Sequence, residues 1–128
     1  MVWVLHGAYL WIVIHLLLRG AAALGIVSVS AATHALTVGA IGSLTLGMMT
    51  RTARGHTGRE LRASKIETTA YVLLMIGVGT RVLVPLFLPG YYYESVLVSA
   101  ALWTMAFSLY VWVFAPWLLS PRVDGKAG

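Results

Sequence analysis

Four long, mostly apolar stretches limit the fold more than any other feature of this sequence. A helix that crosses a bilayer needs roughly 20 mostly apolar residues to span a hydrocarbon core about 30 Å thick. The stretches predict membrane-spanning helices at about residues 2–18, 31–50, 66–84 and 95–119. Membrane strands would alternate apolar and polar residues, which these stretches do not. We therefore predict an all-α, polytopic membrane protein in which residues 1–128 form one four-helix transmembrane bundle.

The composition agrees with a membrane protein. Apolar residues make up 59% of the chain and charged residues 10%, whereas soluble domains carry about 25% charged residues. The net charge of +5 would suggest nucleic acid in a soluble protein, but here the Lys and Arg residues flank apolar runs, as in membrane proteins. The absence of cysteine excludes disulfides and thiolate metal sites. We predict the lipid bilayer, and no nucleic acid, as a partner.

The positive charges lie mostly on one side of the predicted bundle. With four crossings, the loop at residues 51–65 shares a side with both termini, and that side carries seven of the nine Lys and Arg residues. Arg19 and Arg81 lie toward the opposite side. Because Lys and Arg accumulate in cytoplasmic loops, we predict that both termini and the basic loop are cytoplasmic.

Small residues recur every four positions on the second predicted helix, at Gly39, Ser43 and Gly47. Such a stripe lets another backbone approach closely. At 100° per residue, Ser43 would lie about 180° from His34. We therefore predict that one face packs, including against another subunit, and that the opposite face presents His34.

Three of the four histidines lie inside or near apolar spans, where ionisable side chains are functional candidates. His15 and His34 both lie near the outer ends of their helices, where they can reach one cofactor. His6 and His56 lie toward the inner side and are candidates for a second, metal site. His6 and His15 are nine residues apart, about 13 Å along the axis and on opposite helix sides, so one small site cannot use both.

Two histidines from different helices are a normal way to ligate haem, and arginine pairs well with its propionates. We predict a b-type haem near the outer leaflet, with His34 as an axial ligand and Arg19 and Arg81 as candidate propionate partners. Depth favours His15 as the second ligand. Copper is a further candidate cofactor, and its candidate ligands are His56, His34 and His6.

Several motifs resemble the NnrS family. They are HALTVGAIG at residues 34–42, MTR at 49–51, GHTGR at 55–59 and the ending PRVDG at 121–125. The resemblance covers nearly the whole chain but only the C-terminal part of the family, whose usual members have many more helices. It implies a haem- and copper-binding protein of the bacterial inner membrane, linked to nitric oxide response and denitrification. It also implies a homo-oligomer or a larger membrane subunit as partner.

The resemblance extends to individual residues and leaves the second haem ligand open between His15 and His6. His15 departs from the family, which tends to have a small residue there, so the resemblance favours His6. The positions that match the family are His6, His34, Arg51, His56, Arg59 and Arg81. The main alternative function is a cofactor-free accessory transmembrane subunit of a larger membrane complex. A small transporter is less favoured, because no predicted helix is clearly broken at mid-membrane.

Overall fold

The computed structural model of the protein describes residues 2–125, and every regular element in that range is helical. Met1 and residues 126–128, which include the Lys126 counted in the charge bias, lie outside the described residues. Within residues 2–125, four helices are long and apolar enough to cross a membrane: α1 (Val2–Ala23), α2 (Val29–His56), α3 (Lys65–Phe87) and α4 (Pro89–Leu118). The predicted all-α fold with four spans is confirmed.

Helix α2 continues to His56, beyond the predicted end near position 50. Arg and Lys are good helix formers and are favourable near a helix C-terminus, so the basic residues do not stop the helix. Gly58 does, with φ at +73°. The N–H groups of Gly58 and Arg59 donate to the carbonyls of Gly55 and Arg54, which is a Schellman cap. The basic loop therefore begins after His56.

The neighbouring helix ends also follow from local chemistry. Helix α1 runs to Ala23, past the predicted end near position 18, because alanine is the strongest helix former. Gly25, with φ at +73°, then turns the chain. Helix α3 begins at Lys65 with a capping box, in which the Ser64 hydroxyl accepts from the Glu67 backbone and the Glu67 carboxylate accepts from the Ser64 backbone. Such a box satisfies two backbone donors that a helix start leaves free.

Residues Ala35–Gly42 of α2 form a π-helix. Its hydrogen bonds join residues five apart, and such segments are rare and frequent at functional sites. The α-helical spacing that placed Ser43 opposite His34 therefore does not apply across this segment. The observed contacts, and not a helical wheel, decide which side chains of α2 face each neighbouring helix.

The small-residue stripe of α2 packs inside the chain. A Cβ atom on Gly39 would lie 2.7 Å from Trp11 of α1, and one on Gly47 would lie 3.0 Å from Val4. The Ser43 Oγ atom lies 3.9 Å from the Met75 Sδ atom on α3. The close backbone approach expected of the stripe is present, but its partners are helices of the same chain. Association with another subunit stays a prediction.

Gly39→Ala is expected to lower the free energy of unfolding by about 1–3 kcal/mol, the usual cost of overpacking a tight contact. The added methyl group would collide with Trp11, which is itself buried. The matched control is Gly79→Ala on α3, where a Cβ atom meets nothing within 4 Å. Unfolding in detergent, followed by circular dichroism, measures both. Equal stability of the two variants would contradict the close α1–α2 contact.

The helices pack as two pairs, α1 with α2 and α3 with α4. One buried cluster, which includes Val4, Leu46 and Tyr71, lies toward the end that carries the loop between α2 and α3, here called the basic end. A second cluster, which includes Trp11 and Val82, lies toward the opposite end. That end carries the exposed tyrosines at positions 91–93 and is called the tyrosine end.

Candidate functional site

His34 lies at the tyrosine end, immediately before the π-helical segment, and is half-buried. Its Nδ1 atom lies 2.7 Å from the Ser30 carbonyl oxygen. A carbonyl only accepts, so the proton of the neutral ring belongs on Nδ1 and the lone pair on Nε2. Nη2 of Arg81, on α3, donates to this Nε2 atom at 3.0 Å. His34 is thus oriented by its own helix and joined to α3.

Arg81 has a second partner, since its guanidinium carbon lies 5.4 Å from the centre of the Tyr92 ring on α4. A cation over an aromatic face at this distance is attracted by the ring quadrupole. Arg81 therefore links α2, α3 and α4 at the tyrosine end. Arg19, the other predicted propionate partner, lies on α1 one turn beyond His15 and is exposed.

His15 joins α1 to the same end of α2. Its Nδ1 atom lies 2.7 Å from the carbonyl oxygen of Ala32, so the ring donates from Nδ1 and keeps a lone pair on Nε2. His15 is half-buried. The structure places His15 against the turn of α2 that carries His34, in agreement with their predicted depths. His15 and His34 have different hydrogen-bond partners there.

His6 lies near the start of α1 and is exposed. Its Nδ1 atom lies 3.1 Å from the Val2 carbonyl oxygen, one turn earlier on the same helix. His6 therefore shares the ring arrangement of His15 and His34, with Nδ1 held by a backbone carbonyl. It does not share their position, because it lies toward the basic end.

His56 lies at the end of α2 and is exposed. It lines a groove of about 490 Å³ together with Met48 and Met49, and His6 is not among the lining residues. Within residues 2–125, no group of three or more His, Cys, Asp or Glu side chains is placed to hold a metal ion. The inner metal site shared by His6 and His56 stays a prediction.

A buried ion pair at the basic end joins Arg54 of α2 to Glu67 of α3. Nε and Nη2 of Arg54 donate to the two carboxylate oxygens of Glu67, each at 2.7 Å. Nη1 donates to the Glu60 carbonyl at 2.9 Å. Arg54 is 8% exposed and Glu67 is 3% exposed. Both carboxylate oxygens and three guanidinium nitrogens have partners, which a buried pair needs to offset its desolvation.

The sequence alone does not single out this pair, because Arg54 is one of five Lys and Arg residues in the predicted loop at residues 51–65. The signal was present in Ser64 and Glu67, which have capping-box spacing just before an apolar run. A carboxylate fixed at that helix start lies one short loop away from the end of α2. Among the cations near this loop, Arg54 is the one that pairs with the Glu67 carboxylate.

The GHTGR motif and the PRVDG ending come together in space. The Val123 N–H donates to the Thr57 carbonyl at 3.3 Å, and a Cβ atom on Gly58 would lie 2.8 Å from Asp124. The guanidinium carbon of Arg59 lies 4.2 Å from the centre of the Trp117 ring. Position 58 thus favours glycine for two reasons: the backbone φ is positive, and the chain ending lies too close to leave room for a Cβ atom. The two separate motifs form one folded unit at the basic end.

Comparison with known families agrees with the motifs. The family model described as NnrS protein matches residues 1–122. No curated protein and no solved structure matches the chain.

Proposed function

The chain belongs to the NnrS family, and on that premise we propose that it is a haem-binding protein of the bacterial inner membrane. The proposed role is in nitric oxide response or in respiratory and denitrification metabolism, as the resemblance implies. The four spans make it a multi-pass membrane protein. The haem, the named membrane and the physiological role are parts of the proposal.

One observation carries the haem proposal. Three of the four histidines, His6, His15 and His34, each hold Nδ1 on a backbone carbonyl, which places the lone pair on Nε2. Metal-bound histidines almost always donate their other ring N–H to a carboxylate, a carbonyl or water, which fixes the tautomer and raises the basicity of the ligand. The imidazoles therefore fit the requirements of haem ligands.

The tyrosine end holds the residues that fit a haem best. His34 would supply one ligand to the haem iron, and the contact of His15 with the same end of α2 supports His15 over His6 as the second ligand. The Nε2 atom of His34 accepts from Arg81 in this structure; with His34 on a haem, Arg81 would instead pair with a propionate. Arg19 lies one turn from His15 and can serve the other propionate. A bound haem supplies an iron for electron transfer or small-ligand binding.

Copper, the second cofactor implied by the family, fits the donor set of this chain poorly. The thioethers of Met48 and Met49 suit copper(I), and His56 lines the same groove. However, Met49 and His56 are seven residues apart on one helix, about 10 Å along its axis. One ion cannot readily use both side chains.

The orientation and partners of the chain complete the proposal. The basic end is placed in the cytoplasm, with both termini, because positive residues accumulate on that side. A homo-oligomer or a larger membrane subunit is the proposed partner. Since the α2 stripe is used within the chain, the contact must involve another surface, such as the exposed apolar side chains along α1 and α4.

The bond between Arg81 and His34 also favours a second candidate, a cofactor-free accessory subunit. In that case the pair is a structural link between α2 and α3, complete without a ligand. One experiment separates the two functions. The chain is produced with ample haem, purified in detergent, and its visible spectrum is recorded oxidised and reduced, with haem and copper quantified. A Soret band with stoichiometric haem supports the proposal, and a well-folded colourless protein supports the accessory subunit.

A further inference from the structure

A groove at the basic end runs from the apolar part of the bundle to a charged rim. Its apolar part, of about 490 Å³, lies between α2 and α4 and is lined by Thr45, Met49, Tyr110 and Leu118 among others. Its charged part, of about 430 Å³, is lined by Arg51, Leu61 and Arg122 among others. Both parts share Met48, Thr52 and His56 in their walls. We call the two parts together the amphipathic groove.

The walls of the charged part of the amphipathic groove carry basic side chains and no acidic ones. Two arginines and one histidine line it, and no acidic residue does. The buried carboxylate of Glu67 is already paired with Arg54, so it does not neutralise this rim. An arginine fork recognises phosphate through parallel hydrogen bonds. The rim is therefore complementary to a phosphate anion.

Arg122 is held at this rim by the chain ending. The adjacent Val123 N–H donates to the Thr57 carbonyl at 3.3 Å, which ties the segment to the end of α2. Nε and Nη2 of Arg122 donate to Asp124 at 2.9 and 2.7 Å. Arginine has five N–H donors. The pair with Asp124 uses Nε and Nη2, so the N–H groups of Nη1 are not part of it. Asp124 thus orients the guanidinium and also lowers its net positive field.

We propose that the amphipathic groove binds one anionic phospholipid of the bilayer. Its headgroup phosphate lies between Arg51 and Arg122, with His56 as a further donor, and an acyl chain lies along Met49, Tyr110 and Leu118. The continuity of the charged and apolar parts selects a lipid over a free phosphate, because a phosphate ion would not use the apolar part. Basic pockets on the cytoplasmic side of membrane helices commonly hold such headgroups. The inference is independent of the haem proposal.

Native mass spectrometry of the detergent-purified chain tests this site. The probes are phosphatidylglycerol, phosphatidylcholine with the same acyl chains, and glycerol phosphate without acyl chains. We expect one molecule of phosphatidylglycerol to bind, well ahead of the other two. The double variant Arg51→Gln/Arg122→Gln should weaken that binding about 25-fold, roughly fivefold for each arginine that loses its hydrogen bonds to the phosphate.

The matched control is Arg62→Gln/Lys65→Gln, which removes the same charge from the basic end without touching the groove walls. It should weaken binding less than twofold. Equal losses in the two double variants would overturn the site in favour of general surface attraction. Equal binding of phosphatidylglycerol and phosphatidylcholine, or of glycerol phosphate and the lipid, would overturn it as well. Arg51→Gln alone leaves the Arg122–Asp124 pair intact, so a loss of binding in this variant cannot come from a disturbed chain ending. It should weaken phosphatidylglycerol binding about fivefold.

Discussion

Replacing His34 with alanine is expected to remove most of the bound haem, or to convert its spectrum to a high-spin form. Loss of an axial ligand opens a coordination position on the iron. Even changes in groups that only orient a ligand cost roughly 10- to 100-fold in metal affinity, so loss of the ligand itself should cost at least as much. Haem content and the oxidised and reduced visible spectra measure the effect.

The companion variants locate the second ligand. His15→Ala should produce the same loss as His34→Ala, because His15 contacts the end of α2 that carries His34. His6→Ala should leave the spectrum unchanged, since His6 lies toward the other end of α1, where its Nδ1 atom bonds to the Val2 carbonyl of its own helix. His56→Ala, at the basic end, is the matched control. If His6→Ala bleaches the protein and His15→Ala does not, the family pattern identifies the second ligand and the assignment of His15 is wrong.

Arg54→Met is expected to lower the free energy of unfolding by about 3–5 kcal/mol, because removing one partner of a buried ion pair leaves the other charge uncompensated. Here the remaining charge would be Glu67, which is 3% exposed. The double variant Arg54→Met/Glu67→Gln should recover much of the loss, since neither charge then stays buried alone. Gln can still accept from the Ser64 backbone and so keeps part of the capping box.

A surface pair in the same chain provides the control for this prediction. Arg122 and Asp124 form an ion pair of the same N–O distance, 2.7 Å, but their side chains are 21% and 30% exposed. Exposed pairs contribute about 0–1 kcal/mol, so Arg122→Met should change stability little. Unfolding in a detergent titration, followed by circular dichroism, compares the variants. A cost of Arg54→Met no greater than that of Arg122→Met would contradict the structural role of the buried pair.

The number and approximate positions of the spans were determined by the sequence alone. A bilayer requires long apolar segments whatever their neighbours are, so hydropathy along the chain is enough to find them. The depth of each histidine follows in the same way, because a helix rises 1.5 Å per residue. For this reason the shared level of His15 and His34 could be predicted before any contact was known.

The partner of each polar side chain was decided only by the tertiary structure. A partner across helices depends on helix rotation as well as depth, and the π-helix of Ala35–Gly42 changes the rotation of α2 between His34 and Ser43. Spacing alone therefore could not pair His34 with Arg81, or show that the glycine stripe serves α1. Depth is fixed along one axis by the membrane, whereas rotation and pairing are fixed only when all four helices pack together.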